Sequence, residues 1–225
     1  MAIYDNPKIV TNGLILCLDA GNRKSYPGSG TAWSDLSGRG NNGTLTNGPL
    51  FDSDRGGCID LDRTNDYVNL PLSSELTTLN GSNLTICAWF YLRGAGGILF
   101  STTRSSPSST LIYGIYPSQQ IFNVFPPSGG QAGVGLTSPT DTWSFYAVSA
   151  IAGVNATFYQ NLNTQTAAHT EIYTGATPTA VTLGAQLLTP QYINGKIAVF
   201  SVYNRALSPQ EITQNFNATC ARFGV

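Results

Sequence analysis

The stretch from Tyr192 to Ile212 constrains the fold more than any other part of the chain. It opens with the turn pair Asn194-Gly195 and continues to Tyr203 as an alternating run with two largely apolar sides. In an extended strand one side carries Ile197, Val199, Ser201 and Tyr203, and the other carries Ala198, Phe200 and Val202. Because both sides are apolar, the run predicts a central strand covered above and below.

A helix start follows this strand directly. Ser208 is placed to cap the first free amide groups, Pro209 suits the first helical position, and Glu211 can complete a capping box. Ile212 and Phe216 lie four residues apart on one helix face. We therefore expect a short C-terminal helix whose Phe216 is buried against the strands.

The rest of the chain contains short strand-like runs at close intervals. They lie at 13–19, 58–62, 66–70, 84–92, 97–103, 110–116, 121–125, 143–150, 156–159 and 179–184. Roughly a dozen such strands without a repeat unit predict an all-β, antiparallel two-sheet β-sandwich. We assign 13–225 to one domain, with a long loop at 20–47, and 1–12 to an N-terminal arm or edge strand.

Composition excludes several classes of function. The chain has 11 Lys and Arg against 12 Asp and Glu, with no basic stripe, which argues against a nucleic-acid partner. No apolar run is long enough to span a membrane, and the N-terminus lacks the pattern of a signal peptide. The four cysteines form no CxxC pair, so buried free thiols are favoured over disulfides, and the single His169 argues against a zinc site.

Four segments carry a resemblance to a known family, namely 13–19, 35–45, 62–68 and 195–208. In their order along the chain and in their residue patterns, these segments resemble laminin G-like domains of the concanavalin A-like jelly-roll class. Relatives usually have Asp-Gly where this chain has Asp62-Arg63, and acidic residues are frequent at the positions of Ala198 and Val199. The resemblance implies a concanavalin A-like jelly roll and says less about function.

Two further segments, 25–31 and 215–224, resemble stand-alone copies encoded by tailed bacteriophages. This resemblance implies a virion surface protein that is not an enzyme: a capsid decoration, a fibre or an adhesin component. It would be made in the host cytoplasm without a signal peptide, and its partners would be other capsid or tail proteins, with a homo-oligomer left open. The alternative is a carbohydrate-binding module for host or environmental glycans.

Catalytic residues are not found in the sequence. Glycosidases need two carboxylates across a sugar-binding cleft, yet Glu75, Glu171 and Glu211 lie far apart and Glu211 suits a cap. There is no Gly-x-Ser-x-Gly motif, and one histidine cannot be matched to an oriented nucleophile. We therefore predict no enzyme and no required cofactor.

The long loop contains the ligand types that Ca²⁺ prefers. Asp19, Asp35, Ser37, Asn41 and Asn42 supply oxygens around it, and many laminin G-like domains hold a calcium ion. The alternative, which the sequence favours, is that these side chains form Asx-type turns.

Aromatic residues provide a second candidate site. Stacking on sugar rings predicts a ligand-binding role for Tyr26, Trp33, Tyr113, Tyr116 and Phe122. The alternative is that these side chains belong to the core, as most strand aromatics do.

The N-terminal segment is a candidate for attachment. Tyr4, Pro7, Ile9 and Val10 precede the first well-patterned strand and could add a strand to the sheet edge of a neighbour. The alternative is that 8–10 pairs as an edge strand within its own sandwich.

Overall fold

The computed structural model describes residues 8–79, 81–103, 111–124, 132–134, 136–169 and 178–225, without the side chains of 122–124, 132 and 133. The strands are β1 Leu14–Asp19, β2 Ala32–Trp33, β3 Gly43–Thr46, β4 Leu50–Asp52, β5 Cys58–Asp62, β6 Tyr67–Leu70, β7 Leu84–Leu92, β8 Gly97–Thr103, β9 Leu111–Tyr116, β10 Gln119–Val124, β11 Ala132–Val134, β12 Trp143–Ile151, β13 Val154–Gln160, β14 Asn163–His169, β15 Ala180–Leu183, β16 Ala185–Gln186, β17 Gln191–Tyr192 and β18 Asn194–Tyr203. The helices are α1 Ser74–Thr77 and α2 Pro209–Phe223, with a 3-10 turn at Asp54–Gly56.

Two antiparallel sheets form the sandwich. Sheet A has the order β14-β13-β12-β7-β18-β5-β4, and β1 pairs with the end of β18 beyond β5. Sheet B has the order β11-β10-β9-β8-β15-β6-β3-β2, and β16 and β17 form a separate hairpin. The predicted antiparallel two-sheet sandwich with a C-terminal helix is confirmed.

Strand β18 is central, as its sequence predicts, and both of its faces are covered. Phe200 and Val202 lie in the apolar cluster between the sheets, and Ala198 and Tyr203 lie in a second cluster on the outer face of sheet A. Helix α2 covers this second cluster, because its Ile212 and Phe223 belong to it. A strand with one polar face could not occupy this position.

The predicted alternation along β18 is wrong at Ile197 and Ala198, which lie on the opposite sides from those predicted. Ile197 lies in the cluster between the sheets with Phe200, whereas Ala198 and Val199 both pack on the outer side. The register with β7 shifts between Ile197 and Val199, which marks a β-bulge. Because the bulge adds one residue, every position before it changes face relative to a regular strand.

The capped start of α2 is confirmed. The Ser208 hydroxyl accepts from the Glu211 amide at 3.3 Å, and the Glu211 carboxylate accepts from the Ser208 amide at 2.9 Å. Phe216 is only half-buried, so the predicted burial is correct in part. The deeply buried aromatic of α2 is Phe223, whose ring stacks on Trp89 at 4.1 Å between centroids.

Because of the Glu211 carboxylate, the stability of the fold depends on pH in the acid range. Its two oxygens accept from the Arg205 guanidinium at 2.9 and 2.5 Å, and this contact, with the Ser208 amide, lowers the pKa of Glu211 to about 2. A lowered folded-state pKa means that the stabilisation is complete above pH 4.5 and is lost as pH falls towards 2.

Glu211→Gln should therefore flatten the acid side of the stability profile. In urea denaturation between pH 2 and 7, we expect a steeper loss for the native protein than for Glu211→Gln, which should be less stable at pH 7. Ser208→Ala, which removes one capping bond and keeps the ion pair, should keep the steep loss. Parallel profiles for the native protein and Glu211→Gln would contradict the assignment.

The segment 8–12 packs against α2 and the end of β18 and forms no strand, so the edge-strand alternative for 8–10 is wrong. The Val10 amide donates to Asn215 Oδ1 at 2.8 Å, and the Tyr203 hydroxyl donates to the Val10 carbonyl at 3.0 Å. The Gln214 side-chain amide donates to the Lys8 carbonyl at 2.7 Å. This part of the lead therefore belongs to the folded domain.

Two other details differ from the sequence pattern. The loop at 20–47 contains the short strands β2 and β3, which continue sheet B. The polar strand β14 was not predicted, because it carries exposed Asn, Thr and Gln side chains.

Cys17, Cys58 and Cys87 are buried free thiols as predicted, and burial raises the pKa of each to about 12. Within the described residues, no helix has the length and apolar character needed to cross a membrane.

Candidate functional site

The carboxylate of Asp35, in the predicted calcium loop, is occupied by hydrogen bonds. Its Oδ1 accepts from the Cys17 and Ser37 amides, each at 2.9 Å. Its Oδ2 accepts from the Ser37 hydroxyl at 2.7 Å and from the Asn41 amide at 3.0 Å. The Asp35 amide in turn donates to Asn42 Oδ1 at 2.9 Å. These contacts are those of the Asx-type turn alternative.

Asp19 and Asn41 also have protein partners. The Asp19 carboxylate forms an ion pair with Arg222 at 2.6 Å, and the Asn41 side-chain amide donates to the Ile15 carbonyl at 2.7 Å. The carboxylates of Asp19 and Asp35 already accept from protein donors, so the arrangement does not fit a cation that needs six to eight oxygen ligands. Across the part of the chain that the structure describes, no group of three or more His, Cys, Asp or Glu side chains could hold a metal ion. Calcium binding stays a prediction of the family resemblance.

Three of the predicted sugar-stacking aromatics lie in the core, which corrects their assignment. Trp33 and Tyr113 are fully buried, and Tyr26 is 2% exposed. The Tyr113 hydroxyl donates to Gln120 Oε1 at 2.8 Å, and the Tyr26 hydroxyl donates to the Gly30 carbonyl at 2.7 Å. Their rings cannot reach a ligand without opening the sandwich. Phe122 lies on β10, and its side chain is outside the described part.

Tyr116 is the predicted aromatic that faces a groove, which we name the tyrosine groove. Its volume is about 420 Å³, and it lies where the end of β9 meets the start of β8 and the β16–β17 hairpin. The lining residues are Arg63, Gly96, Gly97, Tyr116, Pro190, Gln191 and Tyr192. Tyr116 and Tyr192 are each partly exposed, so the groove has aromatic surface that a ligand can reach.

Two glycines make the close approach of these elements possible. A Cβ atom on Gly96 would lie 2.0 Å from the Ile115 carbonyl oxygen, and one on Gly97 would lie 2.8 Å from the Tyr192 carbonyl oxygen. Any larger side chain would push β9 or β17 away. The groove therefore depends on glycine at both positions.

Polar groups complete the tyrosine groove. The Tyr116 hydroxyl donates to Gln191 Oε1 at 3.2 Å, which leaves the Gln191 side-chain NH₂ as a donor. Burial raises the pKa of Tyr116, so its hydroxyl is protonated at neutral pH. Arg63 is exposed and is the charged residue among those that line the groove.

A second groove, the threonine groove, lies on the outer face of β13 and β14 beside the start of α2. Its volume is about 690 Å³, and Thr157, Thr164 and Thr166 form part of its floor. The Thr157 and Thr166 hydroxyls are 2.9 Å apart across the strands. Its charged residues, Arg205 and Glu211, neutralise each other. Aromatic surface is scarce here, because Tyr159 is buried.

The attachment residues divide into two groups. Tyr4 and Pro7 lie outside the described residues. Val10 is buried and Ile9 is half-buried against the outer cluster of sheet A. Val10 is therefore not free to add a strand to a neighbour, which corrects the prediction for this residue.

Residues 62–213 match the sequence model described as the concanavalin A-like lectin/glucanases superfamily. The chain belongs to this superfamily. The matched part of the superfamily domain includes both tyrosines of the tyrosine groove and the start of α2. A search of curated protein sequences finds no match.

Solved structures with the same fold include clostridial toxin domains. The binding domain of paraclostridial mosquitocidal protein 1 aligns at a TM-score of 0.69 and 15% identity, over 92% of this chain and 52% of that one. Botulinum neurotoxin type C, described as dependent on two ganglioside molecules to enter cells, aligns at 0.71 and 13%, over 93% and 52%. The binding domain of botulinum neurotoxin DC in complex with rat synaptotagmin II gives the same values.

This superfamily member spans about half the length of those structures, and at such identity the likeness shows the fold alone.

Of the residues in the tyrosine groove, the sequence indicated Tyr116 and missed Arg63, Gln191 and Tyr192. One signal was available, because Arg63 occupies the position of a glycine that is usual in laminin G-like relatives. In the sequence, Tyr192 is only the first residue of the stretch that contains the closing strand, and the structure places it in β17.

Proposed function

We propose that this protein is a non-enzymatic binding domain that recognises glycans in the tyrosine groove. The observation that carries the proposal is the pair of partly exposed rings, Tyr116 and Tyr192, in one groove with Gln191 and Arg63. An aromatic ring offers apolar surface to the C–H face of a sugar. Amide, hydroxyl and guanidinium groups offer hydrogen bonds to sugar hydroxyls.

The comparisons support a glycan ligand at the level of class. The superfamily description names lectins, and one similar structure is of the botulinum neurotoxin DC binding domain in complex with SialylT. Because those proteins share only the fold with this chain, the groove residues carry the specific proposal.

An array of neutral, sulfated, uronate-containing and sialylated oligosaccharides tests the proposal. We expect binding to at least one class, accompanied by a rise in melting temperature when that oligosaccharide is added. If the folded protein binds no oligosaccharide on the array, the proposal is wrong.

The absence of catalysis gives a second expected outcome. Among the described residues Glu75 lies near Arg39, at 3.5 Å, and Glu211 serves α2, so neither faces the tyrosine groove. We therefore expect no release of reducing ends from β-glucans or alginate by the purified protein. Turnover that disappears in a single Asp or Glu variant would contradict a purely binding role.

The setting that we propose for this binding is a virion surface, as a capsid decoration, fibre or adhesin component. This proposal rests on the resemblance of 25–31 and 215–224 to phage proteins, with other virion proteins as partners. Mass spectrometry of purified particles tests it directly: the protein should be present in the particles, and its absence from them would exclude the setting.

Deletions at the N-terminus separate attachment from folding. Removal of residues 1–6 should leave the melting temperature unchanged and prevent assembly onto particles, if this part anchors the protein. Removal of 1–12 should also lower the melting temperature, because it removes the partners of Asn215 and Tyr203. If the shorter deletion assembles normally, the N-terminus is not the anchor.

A further inference from the structure

The tyrosine groove contains a cation with no counterion in the described part of the protein. Of the seven arginines that the structure describes, five form ion pairs with carboxylates: Arg39, Arg55, Arg93, Arg205 and Arg222. Arg23 donates to the Pro27 carbonyl. Arg63 is the exception, with no ion pair or side-chain hydrogen bond to a described residue, and it lines the groove.

The carboxylates closest to Arg63 in sequence are used by its own turn. Asp62 Oδ1 accepts from the Thr64 amide at 2.7 Å, and Asp66 Oδ2 accepts from the Asp62 amide at 3.3 Å. Neither carboxylate lines the groove. Among the residues that the structure describes, the guanidinium of Arg63 is therefore left without a protein anion.

The backbone of Arg63 adds a second observation. Its φ is +67°, in the left-handed region that favours glycine. An arginine here costs conformational energy that a glycine would avoid. Backbone strain at a residue that lines a groove and has no described protein partner is a reason to look for a binding role there.

We infer that the glycan bound in the tyrosine groove carries an anionic group, a carboxylate or a sulfate, which Arg63 contacts. The planar guanidinium fork can donate two parallel hydrogen bonds to either group. The tyrosine rings would hold the sugar ring beside it. This inference rests on the proposed function of the same groove, and it adds the charge of the ligand.

The threonine groove provides a contrast within the same molecule. Its arginine, Arg205, already makes two hydrogen bonds to Glu211, at 2.9 and 2.5 Å. An anion there would have to displace a protein carboxylate. Among the described residues, the arginine of the tyrosine groove is thus free to contact an anion, whereas the arginine of the threonine groove is already paired.

Isothermal titration calorimetry with matched oligosaccharides tests the inference. The probes are an acidic oligosaccharide that binds on the array and its neutral counterpart, made by reducing the carboxyl groups or removing the sulfates. We expect the acidic form to bind about three- to ten-fold more tightly at low salt, as for an exposed bidentate ion pair. The difference should shrink at 500 mM NaCl, because salt screens the contact.

Arg63→Gly is the matching variant, because glycine fits the left-handed backbone and the fold should be retained. It should lower the affinity for the acidic form more than the affinity for the neutral form, so that the preference for the acidic form is abolished. Arg55→Gly is the control: Arg55 also has a positive φ, +49°, and lies outside the groove. It removes the same charge and should leave the preference intact.

The outcomes distinguish the two proposals. Equal binding of acidic and neutral forms, or an equal loss of preference in both variants, overturns the role of Arg63 and leaves the groove as a glycan site. If Tyr116→Ala leaves binding unaffected, the glycan does not bind in the tyrosine groove. If the affinity falls after the carboxyl groups are reduced, the ligand carries a uronate or a sialate. If it falls after desulfation, the ligand carries a sulfate.

Discussion

Replacement of Phe223 by alanine is expected to destabilise the domain by about 3–5 kcal/mol, the usual cost of removing a buried aromatic. The Phe223 ring is 2% exposed and stacks on Trp89 with an interplanar angle of 9°. It also contacts Trp143, at 5.2 Å between centroids. Its loss would leave a cavity under the end of α2, on the outer face of sheet A. Urea denaturation at pH 7 measures the change.

Phe216→Ala is the matched control on the same helix. Phe216 is half-buried, with its ring 5.7 Å from both Trp89 and Phe145. Phe216 buries less apolar surface than Phe223, so its truncation removes less stabilisation, and we expect a loss of about 1–2 kcal/mol in the free energy of unfolding. An equal or larger loss for Phe216→Ala would mean that the middle of α2, and not its end, holds the helix on the sheet.

Tyr116→Ala should lower the affinity for a bound oligosaccharide at least about ten-fold, which corresponds to about 1.4 kcal/mol. The substitution removes aromatic surface from the groove and the hydroxyl that contacts Gln191. Tyr116→Phe keeps the ring, so it should lose much less. Titration calorimetry with an oligosaccharide selected on the array measures both variants.

The exposed Thr164 and Thr166 of the threonine groove provide the control for this experiment. Alanine at both positions should leave the affinity unchanged, because this groove lies on sheet A and Tyr116 on sheet B. If the threonine variant loses binding and Tyr116→Ala does not, the ligand occupies the threonine groove.

Much of the fold follows from local signals in the sequence. The apolar run of β18 and the Ser208–Glu211 capping box act between neighbouring residues, and both are present as predicted. The bulge at Ala198–Val199 is not local, because it depends on how β18 registers with β7. Short polar strands such as β14 carry no apolar pattern, and tertiary pairing alone defines them.

The candidate site was less predictable than the fold. Alternation assigns Tyr113 and Tyr116 to strand faces, but it does not show that the first face is covered and the second meets a groove. Tyr192 reaches that groove through the pairing of β16 with β17, far from Tyr116 in sequence. Arg63 lacked any chemical motif, and only its departure from the usual glycine distinguished it.

The most direct test of glycan binding in the tyrosine groove is an NMR titration of the isotopically labelled protein with an oligosaccharide selected on the array. The proposal predicts the largest shifts at the backbone amides of Gly96, Gly97 and Tyr192 and at the Tyr116 ring, with saturable titration curves that fit a single site. Shifts confined to Thr157, Thr164 and Thr166, or no saturable shift near Gly96 and Tyr116, would contradict it.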